Sequence, residues 1–153
     1  MISGGLKVIE PKKISGGRFT DDRGFLKTLT FPEGFTPKRL YSVTNWQSLF
    51  IRAWHGHKRE SKLIYMSQGS GIVAAVFMTD TLKPDKEQPI FRFTIDSESH
   101  TQVFIPAGYA NGLMSLTPDA EFTVISSSSL EDSKEDDFRF PFNYWQAWDI
   151  EQR

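Results

Sequence analysis

The chain has 153 residues, about the length of one domain and enough to bury a core of its own. Hydrophobic residues make up 39% and charged residues 24%, a balance that excludes a membrane protein and a disordered chain. The net charge of −1 excludes the basic field that grips nucleic acid, and the lack of cysteine excludes disulfides and thiolate chemistry.

The first residues show no signal-peptide pattern, since residues 1–5 carry neither a positive charge nor a run of apolar side chains. The longest apolar run, residues 72–78, is far shorter than the roughly 20 residues of a membrane span. We therefore expect a cytoplasmic protein that binds neither membranes nor nucleic acid.

Short strand-like segments, separated by turn residues, recur along the chain. The predicted strands are residues 24–30, 38–43, 51–57, 63–66, 72–78, 91–95, 101–105, 112–116 and 121–126. Only residues 130–137 suggest one or two helical turns. We therefore predict one all-β domain over residues 1–153, with a jelly roll of eight or so strands around one cavity as the leading architecture.

The segment 52–58 concentrates two of the three histidines and two cations in a predicted strand. Residues i and i+2 of a strand share a face, so His55 and His57 are predicted to point the same way. Lys62 begins the next predicted strand, where a hairpin would bring it beside them. The alternative is an exposed, charged strand edge with no site.

Two segments resemble the cupin motifs. The run from His55 to Gly69 resembles the first motif, in which a glutamate stands at the place of Lys62. Residues 105–112 resemble the second, with Asn111 in place of its histidine. Metal-binding cupins use these two histidines, the glutamate and the last histidine as ligands. Because a lysine ammonium repels a divalent ion, we expect no metal and no other cofactor.

Five segments resemble, in the same order, signature segments of the dTDP-4-dehydrorhamnose 3,5-epimerase family. They are F-T-D-D-R-G-F at 19–25, R-A-W-H at 52–55, K-L at 62–63, I-P-A-G-Y-A-N-G-L at 105–113 and A-E-F at 120–122. The resemblance implies a cupin double-stranded β-helix with little helix, and a homodimer. It implies an isomerase of a nucleotide-linked 4-keto-6-deoxy sugar, used in deoxysugar and surface polysaccharide biosynthesis.

The implied chemistry fits these residue types. The hydrogens beside the carbonyl of a 4-keto sugar are acidic, so a base can remove one and leave an enolate that needs positive charge. His55 is the candidate base and Lys62 the candidate enolate stabiliser. In the family, arginines at the positions of Arg23 and Arg52 hold the substrate's diphosphate or sugar, although Arg23 also fits a plain turn residue. The candidate substrate-binding residues are Arg23, Arg52, His57, Asn111 and Tyr41.

The sequence departs from the family at the catalytic acid. Inversion at carbon needs an acid opposite the base, and the family's tyrosine aligns with Val124. Tyr109 is the candidate catalytic replacement, with Tyr41 and Tyr65 as alternatives. An aspartate near the C terminus orients the family's base, and Asp149 is the comparable residue here.

Two other functions stay open. Residues 52–58 resemble the R-G-x-H-A-H-K run of the sugar 3,4-ketoisomerases, and residues 38–41 resemble their K-R-x-Y segment. A ketoisomerase works on one face of the sugar and does not need the opposite tyrosine. The other alternative is a non-catalytic nucleotide-sugar-binding cupin, which the lost tyrosine and histidine favour and the retained His55 and Lys62 oppose.

The aromatic residues predict a second packed surface. Trp54 alternates away from the face of His55 and is predicted to lie in the core. Residues 138–145 are too aromatic to remain in water, so we expect them to pack on the barrel or on a second subunit.

Overall fold

The computed structural model describes residues 9–153, which form twelve strands and one short helix. The elements are β1 (Lys12–Ser15), β2 (Gly17–Asp21), β3 (Gly24–Thr28), β4 (Arg39–Thr44), β5 (Ile51–Gly56), β6 (Lys62–Gln68), β7 (Ser70–Phe77), β8 (Ile90–Asp96), β9 (Thr101–Ile105), β10 (Tyr109–Ser115), β11 (Glu121–Ser126), α1 (Leu130–Lys134) and β12 (Phe138–Arg139). The predicted all-β architecture with little helix is confirmed.

Most strands belong to two antiparallel sheets. The first has the order β1-β9-β6-β11-β4 and the second β12-β5-β10-β7-β8, while β2 and β3 form a separate hairpin. Within the sheets, β9 pairs with β6 and β10 with β5, so neighbours in space are distant in the chain. Such long connections between two sheets are those of a jelly roll.

The space between the sheets holds the interior core. Ile64 and Val124 of the first sheet pack there with Val73 and Leu113 of the second. One end of this space is lined by polar side chains instead and forms the pocket described below.

A second apolar layer covers the outer face of the second sheet. It consists of Trp54, Trp145, Trp148 and Phe140 with their apolar neighbours, and we call it the aromatic layer. The residues after β12 therefore pack on their own barrel, and Trp54 lies in the core as predicted. Because both faces of β7 are covered, its sequence is a continuous apolar run rather than an alternating one.

The sequence analysis missed β1, β2 and β12. β12 has only two residues, too few for a periodic pattern, and β1 is a polar edge strand held by its ladder to β9. The predicted helical turns exist as α1, which Ser129 caps by accepting a hydrogen bond from the backbone N–H of Asp132.

Candidate active site

A pocket of about 270 Å³ opens at one end of the space between the sheets. Strand β5 contributes His55, the residue after its end is His57, and β6 begins with Lys62. The other lining residues are Arg39, Tyr41, Leu130, Ser133, Lys134, Asp137 and Arg139. The two histidines and the lysine singled out in the sequence are thus brought together, and we call this cavity the His–Lys pocket.

Lys62 reaches the His–Lys pocket by a route that the sequence analysis did not foresee. The expected hairpin is wrong, because β5 and β6 lie in different sheets. Lys62 instead faces β10 across the barrel, where its Nζ donates to Asn111 Oδ1 at 3.4 Å. Local periodicity sets the face of a strand but does not say which sheet the strand joins.

Asp136 holds the connection between these strands. Its carboxylate accepts hydrogen bonds from the backbone N–H groups of Lys58, Arg59 and Glu60, at 2.7, 2.8 and 3.0 Å. These three charge-assisted bonds turn residues 57–61 from one sheet to the other.

Strand β5 is irregular where it passes the site. His55 pairs with Asn111 and Arg52 with Leu113, so Ala53 and Trp54 together take the place of one residue. Residues directly opposite in an antiparallel ladder share a face, and Leu113 faces the interior core. The bulge therefore puts Arg52 and His55 on the face of β5 that looks toward the first sheet, with Arg52 at the exposed edge of that face.

The environment of His55 keeps its imidazole neutral. Burial, together with the positive charges of Arg139 and Lys62, lowers the pKa of His55 to about 4. Asp137 opposes this shift but does not cancel it. At neutral pH His55 therefore has a free lone pair and is in the form that acts as a base.

His57 is more deeply buried and is held in one orientation. Its Nδ1–H donates to the backbone carbonyl of Asp136, which leaves the lone pair of the neutral ring on Nε2. Burial and the charge of Lys62 lower the pKa of His57, against the opposing effect of Glu60.

The candidate acids lie in different surroundings. Tyr41 lines the His–Lys pocket and lies directly opposite Val124 in the ladder between β4 and β11. Tyr109 belongs to the interior core, where its ring packs edge-on against Phe77 and Phe91 at 5.5 and 6.1 Å. Burial raises the pKa of Tyr109. Tyr41 is thus the tyrosine among the pocket-lining residues.

The two candidate substrate arginines lie outside the His–Lys pocket. Arg52 binds the side chain of Asn45 and the carbonyl of Thr44 at 2.7 and 3.0 Å, beside a separate depression of about 110 Å³. Arg23 is exposed in the turn between β2 and β3, where it pairs with Asp21. Their roles with substrate stay predictions.

Two acidic residues of the site had no signal in the sequence. Asp137 lines the His–Lys pocket and accepts a hydrogen bond from Arg139 Nε at 3.1 Å. Asp149, the aspartate expected to orient the base, is not one of these two: it lies outside the pocket, where its backbone carbonyl accepts a hydrogen bond from Arg92. Glu60, in a charged run that resembles a solvated loop, is wholly buried against the site. A compositional pattern cannot distinguish a buried charge from an exposed one, because the partners are remote in sequence.

The described part of the chain contains no membrane-spanning helix and no cluster of metal-ligating side chains. No helix within residues 9–153 is long and apolar enough to span a bilayer. In the same residues, no three His, Cys, Asp or Glu side chains converge as metal ligands would.

Solved structures of known proteins share this fold. A dTDP-4-dehydrorhamnose 3,5-epimerase from Sulfolobus tokodaii is 20% identical with a TM-score of 0.75, over 97% of this chain and 85% of that one. The Bacillus anthracis epimerase with TDP and PPi bound is 20% identical with a TM-score of 0.71, over 90% and 85%. A 3,4-ketoisomerase from Helicobacter canadensis is 17% identical with a TM-score of 0.70, over 90% and 96%. The predicted cupin jelly roll is thereby confirmed.

Comparison with models of protein families shows to which family the chain belongs. A search of curated proteins finds no match. The family model described as dTDP-4-dehydrorhamnose 3,5-epimerase matches residues 5–141, nearly the whole chain. The chain therefore belongs to the dTDP-4-dehydrorhamnose 3,5-epimerase family of dTDP-sugar epimerases and isomerases.

Proposed function

We propose that the protein epimerises C3, C5 or both of a nucleotide-linked 4-keto-6-deoxy sugar by proton abstraction through an enolate. The observation that carries the proposal is the pairing of a neutral imidazole and an ammonium in one small cavity, His55 with Lys62. One group is suited to take a proton from carbon, and the other to hold the negative charge that results.

The chemistry divides into two proton transfers. His55 takes the proton from the carbon beside the carbonyl, the C–H electron pair becomes the enolate double bond, and charge moves to the carbonyl oxygen. Lys62 stabilises that oxygen by its positive charge. An acid on the opposite face then returns a proton to the carbon and inverts it.

Tyr41 is the best-placed candidate for this acid. Its position opposite Val124 puts a tyrosine on the strand next to the one from which the family's hydroxyl would come. Tyr109, the acid favoured by the sequence analysis, is the alternative, and its ring is enclosed by the interior core. Substitution of each tyrosine separates the two assignments.

A 3,4-ketoisomerase is the second candidate. The residue at the position of the family's acid is Val124, which has no hydroxyl. It is 1% exposed and packs in the interior core. His57 lines the same pocket as His55, which suits a proton moved between neighbouring carbons on one face. Loss of the proton from C3 gives an enediolate; when C4 takes up a proton, O4 is protonated and the O3–H proton is lost, the carbonyl has moved to C3.

The deciding experiment is proton NMR of dTDP-4-keto-6-deoxyglucose in deuterated water with the protein added. Deuterium at C3 or C5 with the carbonyl still at C4 supports the epimerase, whereas a carbonyl that moves to C3 supports the ketoisomerase. If neither happens with this substrate or with GDP- and UDP-linked ones, the enzymatic proposal is wrong and the binding protein remains.

We also propose that the protein is a homodimer. The hairpin of β2 and β3 exposes more than half of Phe19, Phe25 and Leu26, at 66%, 57% and 57%. These side chains line a groove of about 420 Å³, and a second copy is the occupant that the family resemblance implies. Light scattering should give twice the mass of the chain, and a monomeric mass would contradict the proposal.

A further inference from the structure

Glu60 is a buried acid that the proposed reaction does not use. It lies on the connection between β5 and β6, and its side chain is 0% exposed. Glutamate is seldom so deeply buried unless it is paired. The bond from its own backbone N–H to Asp136 helps to hold it in this inward position.

Both oxygens of the Glu60 carboxylate face groups of the site. Oε2 accepts a hydrogen bond from Ser126 Oγ at 2.8 Å and lies 3.5 Å from a terminal nitrogen of Arg39 and 4.0 Å from Lys62 Nζ. Oε1 lies 3.7 Å from His57 Nδ1 and has no hydrogen-bond partner among residues 9–153. One carboxylate thus faces three cationic or titratable side chains.

The charge balance around Lys62 gives Glu60 its significance. An ammonium as deeply buried as that of Lys62, whose side chain is 8% exposed, is costly unless a negative charge lies near it. The charged and titratable groups around Lys62 are Glu60, Arg39, Tyr41, His55 and His57, with Lys134, Asp137 and Arg139 along the wall. Most of these are basic, and Glu60 is the acid in direct contact with three of them.

We propose that Glu60 is a positioning residue whose carboxylate balances the charge of the Lys62 ammonium, holds it in place beside Asn111, and faces His57 with its other oxygen. The inference rests on the proposed function, because it assumes that Lys62 stabilises the enolate. It assigns Glu60 no contact with the substrate.

The test is Glu60→Gln, which keeps the volume of the side chain and removes its charge. We expect kcat for deuterium exchange to fall roughly ten- to a hundredfold, with KM little changed, because the enolate loses a well-placed cation. Glu60→Asp, which retains the charge, should give an intermediate kcat. A kcat at the wild-type level in Glu60→Gln, or equal losses in both variants, would overturn the inference.

Glu121→Gln is the matched control. Ser126, the serine that donates to Glu60, ends β11, and Glu121 begins the same strand. Glu121→Gln thus makes the same chemical change away from the His–Lys pocket, on a carboxylate that also accepts a hydrogen bond from a serine, Ser67. We expect kcat near the wild-type value. An equal loss in this control would show that any Glu→Gln change in the sheet weakens the enzyme, and would count against a specific role of Glu60.

A second readout needs no substrate and separates this inference from the proposed function. Glu60 opposes the lowering of the His57 pKa, so NMR titration of His57 should show a lower midpoint in Glu60→Gln than in the wild type. An unchanged midpoint overturns the inference even if the wild type is active. If the wild type catalyses no exchange, the proposed function fails while this titration still reports on Glu60.

If Glu60→Gln does not fold, the titration is made on Glu60→Asp. Its shorter side chain draws the charge away from His57, so the midpoint should again fall below that of the wild type. A wild-type midpoint in this folded variant overturns the inference.

Discussion

Strand β5 places two consecutive residues in opposite environments. Trp54 is fully buried in the aromatic layer, where its ring packs against Trp145 and Trp148 at 5.3 and 5.2 Å and its Nε1 donates to the carbonyl of Phe142. His55, the next residue, lines the His–Lys pocket and has a pKa lowered to about 4.

The two sides differ in how well their polar groups are satisfied. In the aromatic layer, the indole nitrogens of Trp54 and Trp148 both donate to the carbonyl of Phe142. On the inner side, Glu60 retains a buried oxygen without a partner among residues 9–153, and His55 is neutral beside two cations. Perturbed groups of this kind concentrate at functional sites. The comparison teaches that the outer face of β5 stabilises the fold, whereas the inner face holds the groups of the proposed chemistry.

The sharpest way to break this comparison is His55→Asn. We expect deuterium exchange into the sugar to fall by about 10²- to 10⁴-fold, because the proposed general base is lost. The midpoint of thermal unfolding should stay near that of the wild type, since His55 is only partly buried. Unaltered exchange, measured by NMR, would reject His55 as the base.

Trp54→Ala tests the outer face. It removes a fully buried indole, so the free energy of unfolding should fall by about 3–5 kcal/mol in urea titrations. Trp46→Ala is the matched control, because Trp46 is completely exposed and its loss should change stability by no more than about 0.5 kcal/mol. Similar losses in the two variants would contradict the importance of the aromatic layer.

Tyr41→Phe tests the inner face of β5 further, because it separates the proton abstraction from the proton return. If Tyr41 is the acid, the inverted product should fall by about 10²-fold, while deuterium still enters the unreacted sugar through His55. NMR of the product mixture measures both quantities. Loss of inversion in Tyr109→Phe instead would assign the acid to Tyr109.

The pH dependence gives the smallest effect. The active form of the base is neutral, and the lowered pKa of His55 means that protonation removes it only near pH 4. We therefore expect kcat/KM to lose little activity to His55 protonation between pH 7 and pH 5 and to fall through about pH 4. Circular dichroism at each pH checks that the chain stays folded. A midpoint near 6.5 would show that the base is not desolvated.

The same shift affects stability. The pKa of His55 in the folded chain lies below its ordinary value of 6.5, so the unfolded chain takes up its proton first as the pH falls. The free energy of unfolding should therefore decrease from about pH 6.5 toward pH 4, with a smaller decrease in His55→Asn. Urea titrations at pH 7 and pH 5 measure the change in the free energy of unfolding for each protein. The same change in the wild type and in His55→Asn would contradict the prediction.

The sequence by itself determined the all-β class, most of the strands and the central pair of the candidate site. Alternation with a period of two and turn residues are local signals, so β4 to β11 were foreseen within a few residues. The spacing of His55 and His57 indicated a shared wall, and the ordered motifs identified the family.

Only the tertiary structure decided which sheets the strands join and which charges are buried. Lys62 donates a hydrogen bond to Asn111 across the barrel, and Asp136 accepts hydrogen bonds from the loop between β5 and β6. Glu60 is buried by side chains far from it in the chain. Arg52 and Arg23 lie apart from the His–Lys pocket. The physical reason is that burial and pairing of a charge depend on contacts between remote segments, which no local pattern of residues contains.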